Sequence, residues 1–302
     1  MAAVASGSRH GLRYTPEAET GVTPAPAGMI ALRHTTSSLI LTKESIVSDE
    51  RRPDRQIADM RLVGNKVGGD IGFELSYGEY DAFLEALFMG TWTNDVLTAG
   101  VTMRSFTIER AFTDIGQYQV FTGCHINSMS LTMNPNAIVT GSLSVVGKGS
   151  SMLSAPLDAA PAASQTNPPL DAISGALKEG GSTVGFVTGI ELTFENGIDP
   201  KFVLGSPDAE HFIAMKSNVS GRVSALFTGP DMMQKFLNET PTSLEIALGK
   251  GDAKSYKLLL PLIKYTGSDN PVNDDDAVIL DMPFQAILDP VSGTNIQLTR
   301  IP

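Results

Sequence analysis

Four histidines and one cysteine are the side chains of this 302-residue sequence best suited to metal or nucleophilic chemistry. His10, His34, His125 and His211 lie far apart, and none makes the H-x-x-x-H spacing that sets two imidazoles on one helix face. Cys124 and His125 are adjacent, but neighbours on a strand project to opposite faces, so they cannot easily act together as nucleophile and base. They read as a buried structural thiol beside a partly exposed histidine. Gly147-Lys148-Gly149 and Gly249-Lys250-Gly251 have a phosphate-friendly composition. Neither carries the G-x-x-x-x-G-K-[ST] frame, and both read as turns. Asp274-Asp275-Asp276 lacks the alternating acidic spacing, central glycine and terminal glutamate of a calcium loop, and reads as a hairpin tip. Asn218-Val219-Ser220 fits a glycosylation pattern without a secretory signal ahead of it. No catalytic constellation emerges, and no enzyme activity, cofactor or metal is expected.

Composition limits what such a chain can bind. Acidic residues outnumber basic ones by 33 to 22, for a formal charge of −11. A protein that grips nucleic acid through its phosphates needs a basic surface. The imbalance is uneven: residues 1–155 carry 15 acidic and 12 basic groups, and residues 156–302 carry 18 and 10. A single cysteine excludes an internal disulfide framework. No apolar run approaches the ~20 residues that span a bilayer, and Met1 to Leu12 lacks the apolar centre of a signal peptide. A soluble, unprocessed protein of a reducing compartment, without membrane contact, is expected.

The elements that would position any site read mainly as strands. Ser142-Leu143-Ser144-Val145 alternates polar and apolar, the pattern of a half-buried strand. Leu39–Thr42, Ile71–Leu75, Phe106–Ile108, Met129–Met133 and Ile138–Val146 are similar, as are Val187–Phe194, Val219–Phe227, Ser243–Leu248, Tyr256–Leu260, Val278–Ile287 and Asn295–Ile301. Helices are expected at Glu79–Met89, with Tyr80, Phe83, Leu84 and Leu87 on one face and Gly90 as the stop, and at Asp231–Asn238 after Pro230. Length suggests two domains. Residues 1–28, with Pro16, Pro24 and Pro26, read as an N-terminal arm that orders on assembly. Residues 156–181, with Pro161, Pro168 and Pro169, read as a linker. The domains are then 29–155 and 182–302.

These domains look like one unit present twice. Leu39-x-Leu41-Thr42 matches Ile190-x-Leu192-Thr193 at an offset of 151, and Gly69-x-Ile71 matches Gly221-x-Val223 at 152. Phe83-Leu84 matches Phe236-Leu237 at 153, and Arg104-Ser105-Phe106 matches Lys254-Ser255-Tyr256 at 150. Ala137-Ile138-Val139 resembles Ala277-Val278-Ile279 at 140. The alternative is two unrelated β domains of similar composition.

An ordered set of segments resembles the major tail tube proteins of long-tailed, siphovirus-type bacteriophages. The set includes Tyr14-Thr15-Pro16-Glu17 through Thr20-Gly21-Val22-Thr23-Pro24, then Asp54-Arg55-Gln56-Ile57-Ala58-Asp59 and Gly68-Gly69-Asp70-Ile71-Gly72-Phe73-Glu74-Leu75-Ser76-Tyr77. It continues with Ile126-Asn127-Ser128-Met129-Ser130-Leu131 and Ile138-Val139-Thr140-Gly141-Ser142. In the second half, Ile190-Glu191-Leu192-Thr193 with Asn196-Gly197, Phe236-Leu237-Asn238-Glu239-Thr240 and Met282-Pro283-Phe284-Gln285-Ala286 fit as well. The resemblance implies a mainly β fold: two tandem β-sandwich or barrel domains, each with a short flanking α-helix. It implies rings stacked into a tube in the virion tail, assembled in the host cytoplasm. A duplicated member would form homotrimeric, pseudo-hexameric rings, with a hexamer of chains as the alternative. Expected partners are further copies, a tape-measure protein, and tail terminator and baseplate proteins, with DNA passing through the lumen without specific binding.

Two surfaces follow from the residues. Ser128, Ser130 and Thr132, with Thr140, Ser142 and Ser144, would give one small, polar sheet face, read as the lumen wall or else as an ordinary solvent face. Lys43 to Lys66 interleaves both charge signs. Lys43, Glu44, Asp49, Arg51, Arg52 and Arg55 are read as an inter-ring loop, or else as a solvated surface loop. Two alternatives remain for the whole protein: a tail-completion or baseplate ring protein, and a two-domain β-sandwich module binding carbohydrate or a host surface. Scattered aromatics, with a single Trp92, count against the latter.

Overall fold

Alternating apolar and small polar residues favour strands, and 52% of the residues are in strands against 6% in helices. The protein is a β-sandwich with short helices and open sheets. The computed structural model describes residues 4–172, 177–249, 253–272 and 277–302. Asp274 to Asp276, read above as a hairpin tip, and Lys250-Gly251 lie outside the described residues.

The first half holds β1 (His10–Glu17), β2 (Ile40–Val47), β3 (Met60–Glu74), α1 (Asp81–Phe88), β4 (Ser105–Phe112), β5 (Gln117–Met133), β6 (Thr140–Gly147) and β7 (Gly149–Leu153). The second holds β8 (Leu177–Glu179), β9 (Val187–Glu195), β10 (Asp199–Phe202), β11 (Ala209–Ile213), β12 (Asn218–Leu226), α2 (Asp231–Leu237), β13 (Thr242–Leu248), β14 (Ser255–Tyr265), β15 (Ile279–Ala286) and β16 (Gln297–Ile301).

Pairing is antiparallel and follows the same scheme in both halves. The first half pairs β1 with β4, β2 with β3, β3 with β6, and β5 with β4, β6 and β7. The second pairs β8 with β13, β9 with β12, β12 with β15, and β14 with β13, β15 and β16. Gly69 and Gly221 then occupy matching positions on β3 and β12. The Arg104-Ser105-Phe106 block, however, opens β4, whose counterpart is β13, whereas Lys254-Ser255-Tyr256 opens β14. That sequence match therefore joins strands that are not equivalent. The offset shrinks after the helices because the first half has a longer connection there, containing the short strand Val96–Thr98.

Two strand pairs join the halves: a short one, Val96–Thr98 against Gln297–Thr299 of β16, and a longer one. Ser128–Met133 of β5 lies antiparallel to Ile190–Glu195 of β9 over six positions. A single run of strands results, β2-β3-β6-β5-β9-β12-β15, and side-chain alternation stays in phase across the joint. One face carries Phe73, Leu143, Leu131, Leu192, Val223 and Met282, all buried. Beneath it α1 packs Phe83, Leu84, Leu87 and Phe88, and the Phe88 ring meets Phe194 edge-on at 5.2 Å. Helix α1 stops at Met89, which is left-handed at φ 50°. Gly90 instead permits a close backbone approach, since a Cβ there would lie 2.2 Å from the Thr98 carbonyl oxygen.

The segments read as arm and linker are held by the carboxylates of Glu17, Glu79 and Glu109, the last two buried. His10–Glu17 forms strand β1, paired with β4 over eight positions, with Leu12 and Tyr14 in the core. Glu17 accepts from the Gly21 and Gly123 N–H groups and from Ser105 and Thr107 hydroxyls. Glu109, fully buried, binds Arg13 and the Leu157 N–H. Glu79 accepts from the Arg33 and Gln165 N–H groups. Leu170 bridges the backbone of Leu75 and Val139. Residues 156–172 therefore lie fixed along the first half, and Leu177–Glu179 already belongs to the sheet of the second. Compositional bias towards small residues and proline hid these contacts.

Phe194→Ala, which empties the space against Phe88, should cost about 3–5 kcal/mol. Urea unfolding of the purified protein measures it.

Candidate assembly surfaces

Small side chains on alternate positions of neighbouring strands form a smooth polar face when the register aligns them. The register does so for all six serines and threonines: Ser128 lies opposite Ser144, Ser130 opposite Ser142, and Thr132 opposite Thr140. The face extends beyond them. Asp70 and Glu74 of β3 lie opposite Ser144 and Thr140. Glu191, Thr193 and Glu195 of β9 lie opposite Thr132, Ser130 and Ser128. Arg222 lies opposite Glu191, and Asp281 opposite Ser224. The Ser/Thr ladder is thus flanked by five carboxylates and one guanidinium, an acidic bias that sequence reading missed because the contributing strands are remote in the chain.

The charged 43–66 segment is a β-ribbon. Lys43 and Glu44 lie on β2, Lys66 lies on β3, and Lys66 pairs with Glu44. Asp49, Arg51, Arg52 and Arg55 lie on the turn at residues 48–59, where Arg52 and Asp54 pair at 2.8 Å. Beyond Gly64 the ribbon exposes Val47, Met60 and Leu62. Its counterpart between β9 and β12 is the β10–β11 hairpin, which folds back over the first half. There Phe212 lies 4.6 Å from the His125 ring, Asn65 donates to Pro207 and Asp208, and Lys148 pairs with Glu210. His125 is consequently buried, not partly exposed, and burial lowers its pKa. Burial raises the Cys124 thiol well above its ordinary value.

A polar latch on the other side of the joint involves residues far apart in sequence. Tyr256 donates to Asp81 at 2.6 Å and accepts from the Gly78 N–H. Arg300 binds the second Asp81 oxygen at 2.7 Å and Asp95 at 2.9 Å, and stacks 4.3 Å from the Trp92 ring. Burial, then the Asp81 carboxylate, raises the Tyr256 pKa. Trp92 thus works inside the joint between halves, and no local spacing could have signalled it.

A third cluster ties β1 down. His10 Nδ1 lies 2.8 Å from His34 Nε2, and Arg110 Nε donates to His10 Nε2 at 3.1 Å. Burial, then the nearby His34 and Arg110, lowers the His10 pKa from 6.5 to about 4. Among the described residues no group of three or more metal-ligating side chains converges, and no helix is long and apolar enough to cross a membrane.

These features define a β-sandwich whose distinctive surfaces are sheet edges, hairpins and one broad polar face. The sequence matches the phage tail tube protein family over residues 7–286, nearly its whole length, and the chain belongs to that family. It is a structural protein of a phage tail tube, a component of the virion tail. No curated protein sequence matches it.

Asp81→Ala leaves Tyr256 and Arg300 without their shared acceptor. It should lower stability by about 1–3 kcal/mol, read as a reduced melting temperature. His10 is harder to protonate in the folded state than in the unfolded state. The His10 contribution to stability is therefore fully present above pH 6.5 and is lost as pH falls towards about 4. His10→Gln should flatten that decline in thermal melts recorded across the range.

Proposed function

We propose that three copies of this chain, each contributing two like half-units from a tandem duplication, close into a pseudo-hexameric ring, and that rings stack into the tube that delivers the genome. The observation that carries this reading is the β5–β9 joint. It fuses two half-sheets edge to edge, and the equivalent edges at the two ends of the run remain available. Among the described residues β2 pairs with β3 alone, and the stretch after Tyr265 contacts β15 on one side. Unpaired edges favour pairing with further chains, and a head-to-tail contact that turns about 60° per half-unit closes after three chains. The expected limits of 29–155 and 182–302 then widen to a first unit that includes β1 and residues 156–172 and a second that begins by Leu177, which fit such an assembly.

The polar face suits the bore. Serine and threonine present small wet groups, and the acidic bias repels a DNA backbone that basic side chains would hold through counterion release. The DNA then slides without specific binding. The turn at 48–59, with Arg51, Arg52 and Arg55, is placed at the end of a projecting ribbon, which supports a contact to the adjacent ring. A tape-measure protein inside the tube, and terminator and baseplate proteins at its ends, complete the assembly.

Electron microscopy of purified protein should reveal three-chain rings or hollow tubes of uniform bore; a protein that stays monomeric at high concentration overturns the reading. Reversing the charge of Arg51, Arg52 and Arg55 should leave the circular dichroism spectrum unchanged and yield short or unstacked rings. Tubes of normal length from that variant refute the inter-ring role. Ser130→Lys with Ser142→Lys should slow DNA release from assembled particles, measured by the rate at which ejected DNA becomes nuclease-sensitive.

A further inference from the structure

The joint inside the chain supplies a template for the joint between chains, and the two differ in chemistry. Positions correspond through the shared pairing scheme. Gly68 faces Val146, which faces His125; Ser220 faces Gln285, which faces Lys264. Lys264 therefore holds the place of His125, and Ile287 that of Lys148. Counting back from Gly68 and Ser220, Met60 holds the place of Phe212, Ala58 of Glu210 and Ile57 of Ala209. Val47 faces Met60 as Pro200 faces Phe212, so Val47 holds the place of Pro200.

Within the chain the second hairpin is seated. Ile198 and Ala209 are buried, and the Ile198 N–H donates to Asn127 Oδ1 at 2.6 Å. Phe212 covers His125, and Glu210 pairs with Lys148 at 3.4 Å. The residues of the first ribbon that hold the places of Pro200, Ala209 and Phe212 are apolar and bare: Val47 is 41% exposed, Ile57 70% and Met60 58%. The surface equivalent to their seat is bare too. Ile287 and Leu288 follow β15 with exposures of 37% and 65%. Leu237 ends α2 at 71%, whereas Leu84, Leu87 and Phe88 near the end of α1 are all buried. Where the internal joint has the Glu210–Lys148 ion pair, the open surfaces have Ala58 and Ile287. Both members have become apolar together. An isolated two-stranded ribbon is marginal in water without a surface to pack on, and these two surfaces match.

We propose that the stem of the β2–β3 ribbon docks laterally on the second half of a neighbouring copy. Val47, Ile57 and Met60 cover Leu237, Ile287 and Lys264 of that copy, as the β10–β11 hairpin covers the first half within one chain. The inference rests on the reading that chains join head to tail in a ring. It adds that the stem is a clasp within the ring and leaves the charged turn at its end free to point elsewhere. The contact is apolar, so ring closure should survive salt that screens the charged turn.

Two single variants of the full chain, Met60→Cys and Lys264→Cys, change exposed or half-exposed positions, and Cys124 is buried and inert. Mixed and treated with a short bis-maleimide, they should give covalent dimers on a denaturing gel, and neither variant alone should. The double variant should give a ladder of longer species. Rings or tubes by electron microscopy with no M60C–K264C cross-link overturn the lateral clasp and leave the tube reading intact. Absence of both assembly and cross-link overturns both. As a second readout, Met60→Glu with Ile57→Glu should keep a wild-type melting curve for the monomer and raise the concentration needed for ring assembly about tenfold or more. Unchanged assembly by that variant counts against the clasp.

Discussion

Six residues from each half, Ser128–Met133 and Ile190–Glu195, pair as antiparallel strands, and the rest of the molecule is organised around that register. Strand side chains alternate with a period of two, so a slip by one residue would turn Leu192 and Phe194 towards the polar face and Glu191 and Thr193 into the core. The register also brings α1 under β9, where Phe88 meets Phe194. It sets Tyr256 and Arg300 against Asp81. The joint is a backbone ladder with apolar packing beneath it and a charge-assisted latch beside it. These parts are mutually supporting, since each needs the register the others impose.

The two halves follow one pairing scheme but are covered differently. In the first, five residues of α1 are buried, and the acids Glu17, Glu79 and Glu109 draw otherwise irregular chain onto the sheet through backbone N–H groups. In the second, α2 buries none of its residues and is tethered by Lys235 to Glu179. A buried carboxylate is tolerable when its oxygens are satisfied by N–H and O–H donors, and the first half uses this repeatedly. The contrast is what a chain with one covered and one uncovered joint would display, and it supports the ring reading proposed above.

Much of the architecture could be read from alternation alone. Ser142-Leu143-Ser144-Val145, Ile190-Glu191-Leu192-Thr193 and the stretch from Val278 to Ile287 are strands for the reason their pattern suggests: one face meets a core and the other does not. Both helices were legible from apolar residues three and four apart. The ladder of Ser128, Ser130, Thr132, Thr140, Ser142 and Ser144 was legible because a short local connection brings its two strands together. Residues 1–28 were misread in part because Leu12 and Tyr14 are too few to signal a strand, and the burial that stabilises them comes from β4, almost a hundred residues later. Lys43 to Lys66 resembled a loop because its charges obscured the pairing of Lys43–Val47 with Met60–Asn65. His125 was expected to be partly exposed because Phe212 lies far away in sequence.

The sequence by itself determined the class of secondary structure and most strand and helix positions, since these depend on side-chain periodicity and nearest neighbours. Only the tertiary structure decided which strands are equivalent, where the halves join, which carboxylates flank the polar face and what Trp92 and His125 touch. Those facts depend on register and on contacts between residues up to 219 positions apart, and a linear pattern carries no information about a contact until another chain segment arrives to make it.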